Sequence, residues 1–136
     1  RMASGRREPP ASRRVARLSM ATVSRSEGDL RWTETVLSMR IHDHVLVIPV
    51  INEGDRIRKQ LLSITALAPP VDIVIADGGS TDGSVAPDFL AASGVRALLT
   101  KTSGGRLSAQ LRMAYRWALE EGYRGIVTMD GNGKDG

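Results

Sequence analysis

The side chains best suited to chemistry fall in three short polar runs, each placed directly after an apolar one. Asn52 and Glu53 follow VLVIPV (45–50); Asp77, Gly78, Gly79, Ser80, Thr81 and Asp82 follow VDIVIA (71–76); Asp130, Asn132 and Asp135 end or follow GIVTMD (125–130). Carboxylates and amides of this kind accept hydrogen bonds from base and ribose groups. They also offer oxygen ligands to a divalent cation, which can bridge a diphosphate and neutralise charge on a leaving group. Asp130 is the best candidate ligand. An all-oxygen site suits Mg²⁺ or Mn²⁺ better than zinc, because the chain has no Cys and His42 and His44 precede the first strand. Both histidines read as solvated or capping residues.

For these runs to act together, the apolar segments must be neighbouring strands. VLVIPV is β-branched and too short for a helix, so it reads as a strand buried on both faces. NEGDRIRKQLLSITAL then places Ile57, Leu61, Ile64 and Leu67 at helical spacing, with Asn52 or Asp55 to cap its start and Pro69-Pro70 to end it. VDIVIA is a second strand. SVAPDFLAAS is a short helix closed by Gly94, and VRALLT (95–100) is a third strand. The longest helix follows the turn at 103–105, with Leu107, Leu111, Tyr115, Ala118 and Leu119 expected on one face and Gly122 as its stop. GIVTMD is the fourth strand. Alternation of this kind predicts an α/β domain with a mostly parallel sheet, whose ligands bind outside the carboxyl ends of the strands. The chain is expected to be truncated after that fourth strand, with its sheet half built.

Residues 1–40 are expected to form a disordered basic leader, and residues 41–136 the folded unit. The first segment is rich in Arg and Ser, contains Pro9-Pro10 and lacks apolar periodicity; Met39 would serve as a start. The net charge of +4 belongs to this leader, which holds nine Arg against four acids, whereas 41–136 hold ten basic and eleven acidic residues. A nearly neutral folded part argues against nucleic-acid binding. No apolar stretch approaches the roughly 20 residues that span a bilayer, and the absence of Cys excludes disulfides and thiolate chemistry. The expected location is cytoplasmic, with peripheral attachment to the inner membrane face left open.

Three segments together resemble family 2 glycosyltransferases. VLVIPVINEG is similar to their first-strand signature, VDIVIADGGSTDGS to their second-strand loop, and GIVTMDGNGKDG stands where they carry D-x-D. KTSGGRLSAQLRMAYRWALEEGY is similar to the stretch before that motif, especially in relatives of polyprenyl-phosphate sugar synthases. The resemblance covers roughly residues 44–136 and implies a GT-A fold, a Rossmann-like three-layer sandwich. It also implies inverting transfer from a UDP- or GDP-sugar, with Mg²⁺ or Mn²⁺, to a polyprenyl phosphate or a glycan. By this likeness Pro49, Asn52 and Glu53 shape the nucleotide pocket, Asp77 accepts a hydrogen bond from the base, and Ser80 and Asp82, with Gly79 between Asp77 and them, order their loop. Arg106 would meet phosphate, since a guanidinium pairs with it bidentately, and Asp130 would open the D-x-D motif.

Two departures qualify what the likeness implies. Asn132 stands at the third D-x-D position, so the cation would hold less firmly, with Asp135 able to compensate. The family's catalytic base has no counterpart in this chain, which is therefore expected to bind donor without transferring sugar. Asp77 and Asp82 also suit Asx-turns, and Glu53 suits a helix N-terminus. Arg112, Arg116 and Arg124 read as solvated surface, and Tyr115 and Trp117 as packing. One rival rests on GNGKDG (131–136), which matches the dinucleotide fingerprint G-x-G-x-x-G of an NAD(P)-binding oxidoreductase. It follows the fourth strand instead of opening the first βα turn. A non-catalytic nucleotide-sugar-binding remnant is the other alternative.

Overall fold

The structure, a computed structural model, describes residues 21–129. In chain order they form β1 (Thr22–Glu27), β2 (Leu30–Val36), β3 (His44–Val50), α1 (Asp55–Leu67), β4 (Asp72–Asp77), α2 (Pro87–Ala92), β5 (Ala97–Lys101), α3 (Leu107–Glu120) and β6 (Gly125–Thr128). One six-stranded sheet runs in the order β1-β2-β5-β4-β3-β6. β3 pairs parallel with both β4 and β6, and β4 pairs parallel with β5. The β1–β2 hairpin joins antiparallel along β5, from Trp32 opposite Lys101 to Val36 opposite Ala97.

Successive side chains of a strand point to opposite faces, so each apolar strand supplies two cores. Val45 and Val47 of β3 pack with Val74, Ala76, Ala97 and Leu99 beneath Met113, Ala114 and Trp117 of α3. Leu46, Ile48 and Val50 pack on the other face with Ile73 and Ile75, against Ile57, Leu61 and Ile64 of α1 and Leu90 of α2. Helices thus cover both faces of a sheet whose central strands β3 and β4 are apolar between their ends. Among the described residues no helix is long and apolar enough to cross a membrane.

The hairpin corrects the expectation of a disordered leader at residues 22–36. LRWTETV alternates, and Leu30 and Trp32 are 3% and 2% exposed beneath α3. Gly28, at φ 60°, opens a two-residue turn between Glu27 and Leu30, the hairpin geometry that a Gly-Asp pair favours. Glu34, buried beside Trp32, accepts from the indole Nε1 at 3.0 Å and from Arg25 Nε at 3.3 Å.

The helices differ from expectation at their ends and faces. Neither Asn52 nor Asp55 caps α1: the cap position is Gly54, which has no side chain to cap with, and Asp55 is the first helical residue. Leu67 is 81% exposed, past the last buried turn. In α3 the sheet receives Ala109, Gln110, Met113, Ala114, Trp117 and Ala118, whereas Leu107, Tyr115 and Leu119 are exposed. Small Ala residues bring the helix backbone close to the sheet, and Trp117 and Met113 fill the remaining volume. His44 begins β3 instead of preceding it, and its ring lies where a Cβ on Gly125 would fall.

A buried polar clamp ties the start of β4 to the segment before β3. Asp72 accepts from the Ile41 and His42 amides and, at 2.6 Å, from the hydroxyl of Tyr123. Burial, then the Asp72 hydrogen bond, pushes the Tyr123 phenol well above its ordinary pKa. A raised folded-state value means that this stability is present below the unfolded phenol's pKa of about 10 and is lost as pH climbs from there. Tyr123→Phe should cost about 1.5–3 kcal/mol at neutral pH and flatten the alkaline fall, both readable by urea unfolding between pH 7 and 11.

Candidate functional site

The carboxyl ends of β3 and β4 lie side by side, with Pro49 opposite Ala76 and Val50 opposite Asp77. The two loops that leave them are latched to each other. Asn52, in a left-handed conformation at φ 47°, donates its backbone N–H to Ser80 Oγ at 2.8 Å, while its Oδ1 accepts from the Thr81 amide at 2.8 Å. Asp77 Oδ1 accepts from the Ser80 amide at 2.9 Å and from its hydroxyl at 2.6 Å. Asp82 reaches back to the Gly54 amide at 3.1 Å and accepts from the Ser84 amide at 3.0 Å. Hydrogen bonds from Ser84, its side chain first, and from Gly54 hold the Asp82 carboxyl below the usual carboxylate range.

Beside this latch opens a cleft of about 580 Å³, bounded by Pro49, Val50, Ile51 and Glu53 on one side and by Lys101, Gly105, Arg106, Leu107, Gln110 and Leu111 on the other. Gly78 lines the cleft, as do Thr128 and Met129 after β6. Glu53 is mostly buried and pairs with Arg56 at 3.2 Å. Gln110 reaches from α3 and donates Nε2 to the carbonyls of Val50 and Ala76, each at 2.9 Å. A Cβ at Gly78 would meet that amide at 3.0 Å, so a larger residue there would push Gln110 by a few tenths of an ångström.

The expected residues therefore divide. Pro49, Glu53 and Arg106 line the cleft, and Asn52, Asp77, Ser80 and Asp82 form the latch at its edge. Gly79, at φ 110°, gives the loop its turn and would place a Cβ 3.6 Å from the Lys101 carbonyl. Asp130, Asn132 and Asp135, and with them the GNGKDG run, lie outside the described residues. Among the described residues no three His, Asp or Glu side chains come together as a metal site. Arg112, Arg116 and Arg124 are exposed and Trp117 is packing, as expected.

Lys101 and Gln110 escaped the sequence reading. A lysine ending an apolar strand and a glutamine on the same helix face as Ala114 and Trp117 were the available signals. Lys101 is 9% exposed and Gln110 6%.

Comparison with known proteins bears on residues 45–131, which match the family described as Glycosyl transferase family 2. A polyprenol monophosphomannose synthase of Mycolicibacterium smegmatis is 29% identical over 92 residues, covering 65% of this chain and 35% of that protein. The chain thus spans about a third of the length of this curated relative. No solved structure matches.

Proposed function

The chain belongs to glycosyl transferase family 2, its fold is the Rossmann-like GT-A arrangement, and we propose that the cleft beside β3 and β4 binds a nucleotide-diphosphate sugar. The observation that carries this reading is the convergence of two latched, acidic loops on a cleft that Arg106 also lines. Backbone and carboxylate acceptors suit a base and ribose, and the Arg106 guanidinium suits a diphosphate. The donor is a UDP- or GDP-sugar, and transfer is inverting. Asp130, Asn132 and Asp135, just past β6, would hold Mg²⁺ or Mn²⁺, which supplies charge neutralisation on the departing diphosphate.

The acceptor proposed is a polyprenyl phosphate, the class that the relative's name suggests, with a glycan as the other choice. A lipid-linked acceptor would place the reaction at a membrane surface, where the protein would sit peripherally. The role assigned to this chain is donor binding, and none of the described residues is given the part of base.

Calorimetric titration with UDP and GDP, with and without Mn²⁺, is the direct test. Binding of one nucleotide, strengthened by Mn²⁺, is the expected result. Asp77→Asn should weaken it about tenfold, by removing charge from the acceptor and loosening the Ser80 contacts. Equal heat with NADH, or no response to Asp77→Asn and Asp130→Asn, would count against the proposal.

A further inference from the structure

We infer that Lys101 is a positioning residue, whose ammonium holds the turn at 103–105 as a wall of the cleft, and that the β1–β2 hairpin closes this clasp from outside. The functional part of the inference rests on the reading of the cleft as the nucleotide site. Lys101 Nζ donates to the Ser103 carbonyl at 3.0 Å and to the Gly105 carbonyl at 2.9 Å. A long side chain with several donors can converge on two carbonyls of one turn; a methionine would fill the space and donate nothing. Burying an ammonium is costly unless it is hydrogen-bonded, so packing alone does not account for a lysine that is 9% exposed.

The hairpin supplies the other half. Arg31 of β2 donates its backbone N–H to Ser103 Oγ at 2.9 Å and accepts from the Thr102 amide at 2.9 Å. Held from both sides, the turn passes through Gly105 at φ 114°, where a Cβ would fall 2.7 Å from that of Ala109. Arg106, Leu107 and Gln110 follow at once and face the cleft. Part of the wall is therefore set by residues that precede the family-matched stretch 45–131.

Amide hydrogen exchange on the full chain tests the clasp without any ligand. Lys101→Met should speed exchange at residues 102–107 about tenfold while residues 113–118 stay protected, and Lys101→Arg should restore part of the protection. Ser103→Ala, which removes the hydroxyl that meets Arg31, should act in the same direction and stands in should Lys101→Met fail to fold. Nucleotide titration of the same variants should show affinity for UDP or GDP about tenfold weaker. Unchanged exchange at 102–107 in a folded Lys101→Met protein would overturn the clasp, whatever the nucleotide does. A loosened turn with undiminished affinity would overturn its role in binding. A native chain that binds neither nucleotide would sink the nucleotide proposal, while exchange alone would still judge the clasp.

Discussion

Gln110→Glu should destabilise the protein by about 3 kcal/mol or more at neutral pH and take nucleotide binding with it. The native amide spends both of its Nε2 hydrogens on the carbonyls of Val50 and Ala76. An ionised glutamate has the same shape but only accepts, so it would face two carbonyl oxygens with an uncompensated, buried charge. The introduced carboxyl would titrate above its ordinary value, because burial and the carbonyls favour its neutral form. The penalty should thus be small below the unfolded-state value of about 4.3, grow as pH rises from there, and level off above the higher folded-state value. Gln110→Leu separates charge from hydrogen bonding, since it strands the same two carbonyls without adding charge. Its cost should be about 2 kcal/mol and independent of pH. Urea unfolding of the three proteins between pH 4 and 8 reads all of this, and native-like stability of Gln110→Glu at pH 7 would contradict it.

Trp117→Ala should cost about 3–5 kcal/mol, a large share of the ~5–15 kcal/mol that holds an ordinary domain together. Trp117 is 1% exposed and is among the largest fully buried side chains. Its ring lies 5.6 Å from that of Tyr123, and the Arg96 guanidinium stands 5.1 Å from it. Arg96 is itself buried and reaches Glu121 at 2.7 Å. Removing the indole opens a cavity under α3 and leaves the buried Arg96 with only the more distant Tyr123 ring, at 5.8 Å. Trp117→Phe should cost less, because it keeps most of the ring and the indole N–H has no hydrogen-bond partner to lose. The midpoint of urea unfolding should fall for Trp117→Ala while the slope holds. An unchanged midpoint would show that the α3 core tolerates the cavity.

Much of the fold was legible because it is local. Strands β3, β4 and β5 are short β-branched or apolar runs bounded by turn residues, and α1 and α3 carry helical periodicity. The hairpin was also legible in principle. Alternation in LRWTETV and the Gly28-Asp29 pair are local signals, but the excess of Arg and Ser around them suggested disorder. What the residues of 22–36 do not carry is a complete hydrophobic face: β1 is exposed along its whole length. Only pairing with β5 and burial of Leu30 and Trp32 under α3 make the hairpin part of the core.

The face of α3 was misjudged for a related reason. Leu107, Leu111, Tyr115, Ala118 and Leu119 form a plausible stripe, of which Ala118 is fully buried; Met113, Ala114 and Trp117 with Ala118 form another. Periodicity alone ranks neither stripe. The sheet chooses the second, because small residues let the helix approach and the large ones fit between strands, which turns Leu107 and Leu111 toward the cleft.

From the chain alone came the kind of fold, the sequence of its central elements and the three polar runs, since side-chain period and turn chemistry operate over a few neighbouring residues. The contacts that build the site join residues far apart: Asn52 to Ser80 across 28 positions, Gln110 to Val50 across 60, Arg31 to Ser103 across 72. No local pattern encodes such pairs. They exist because parallel strands bring their carboxyl ends together, and only the assembled sheet fixes which side chains meet there.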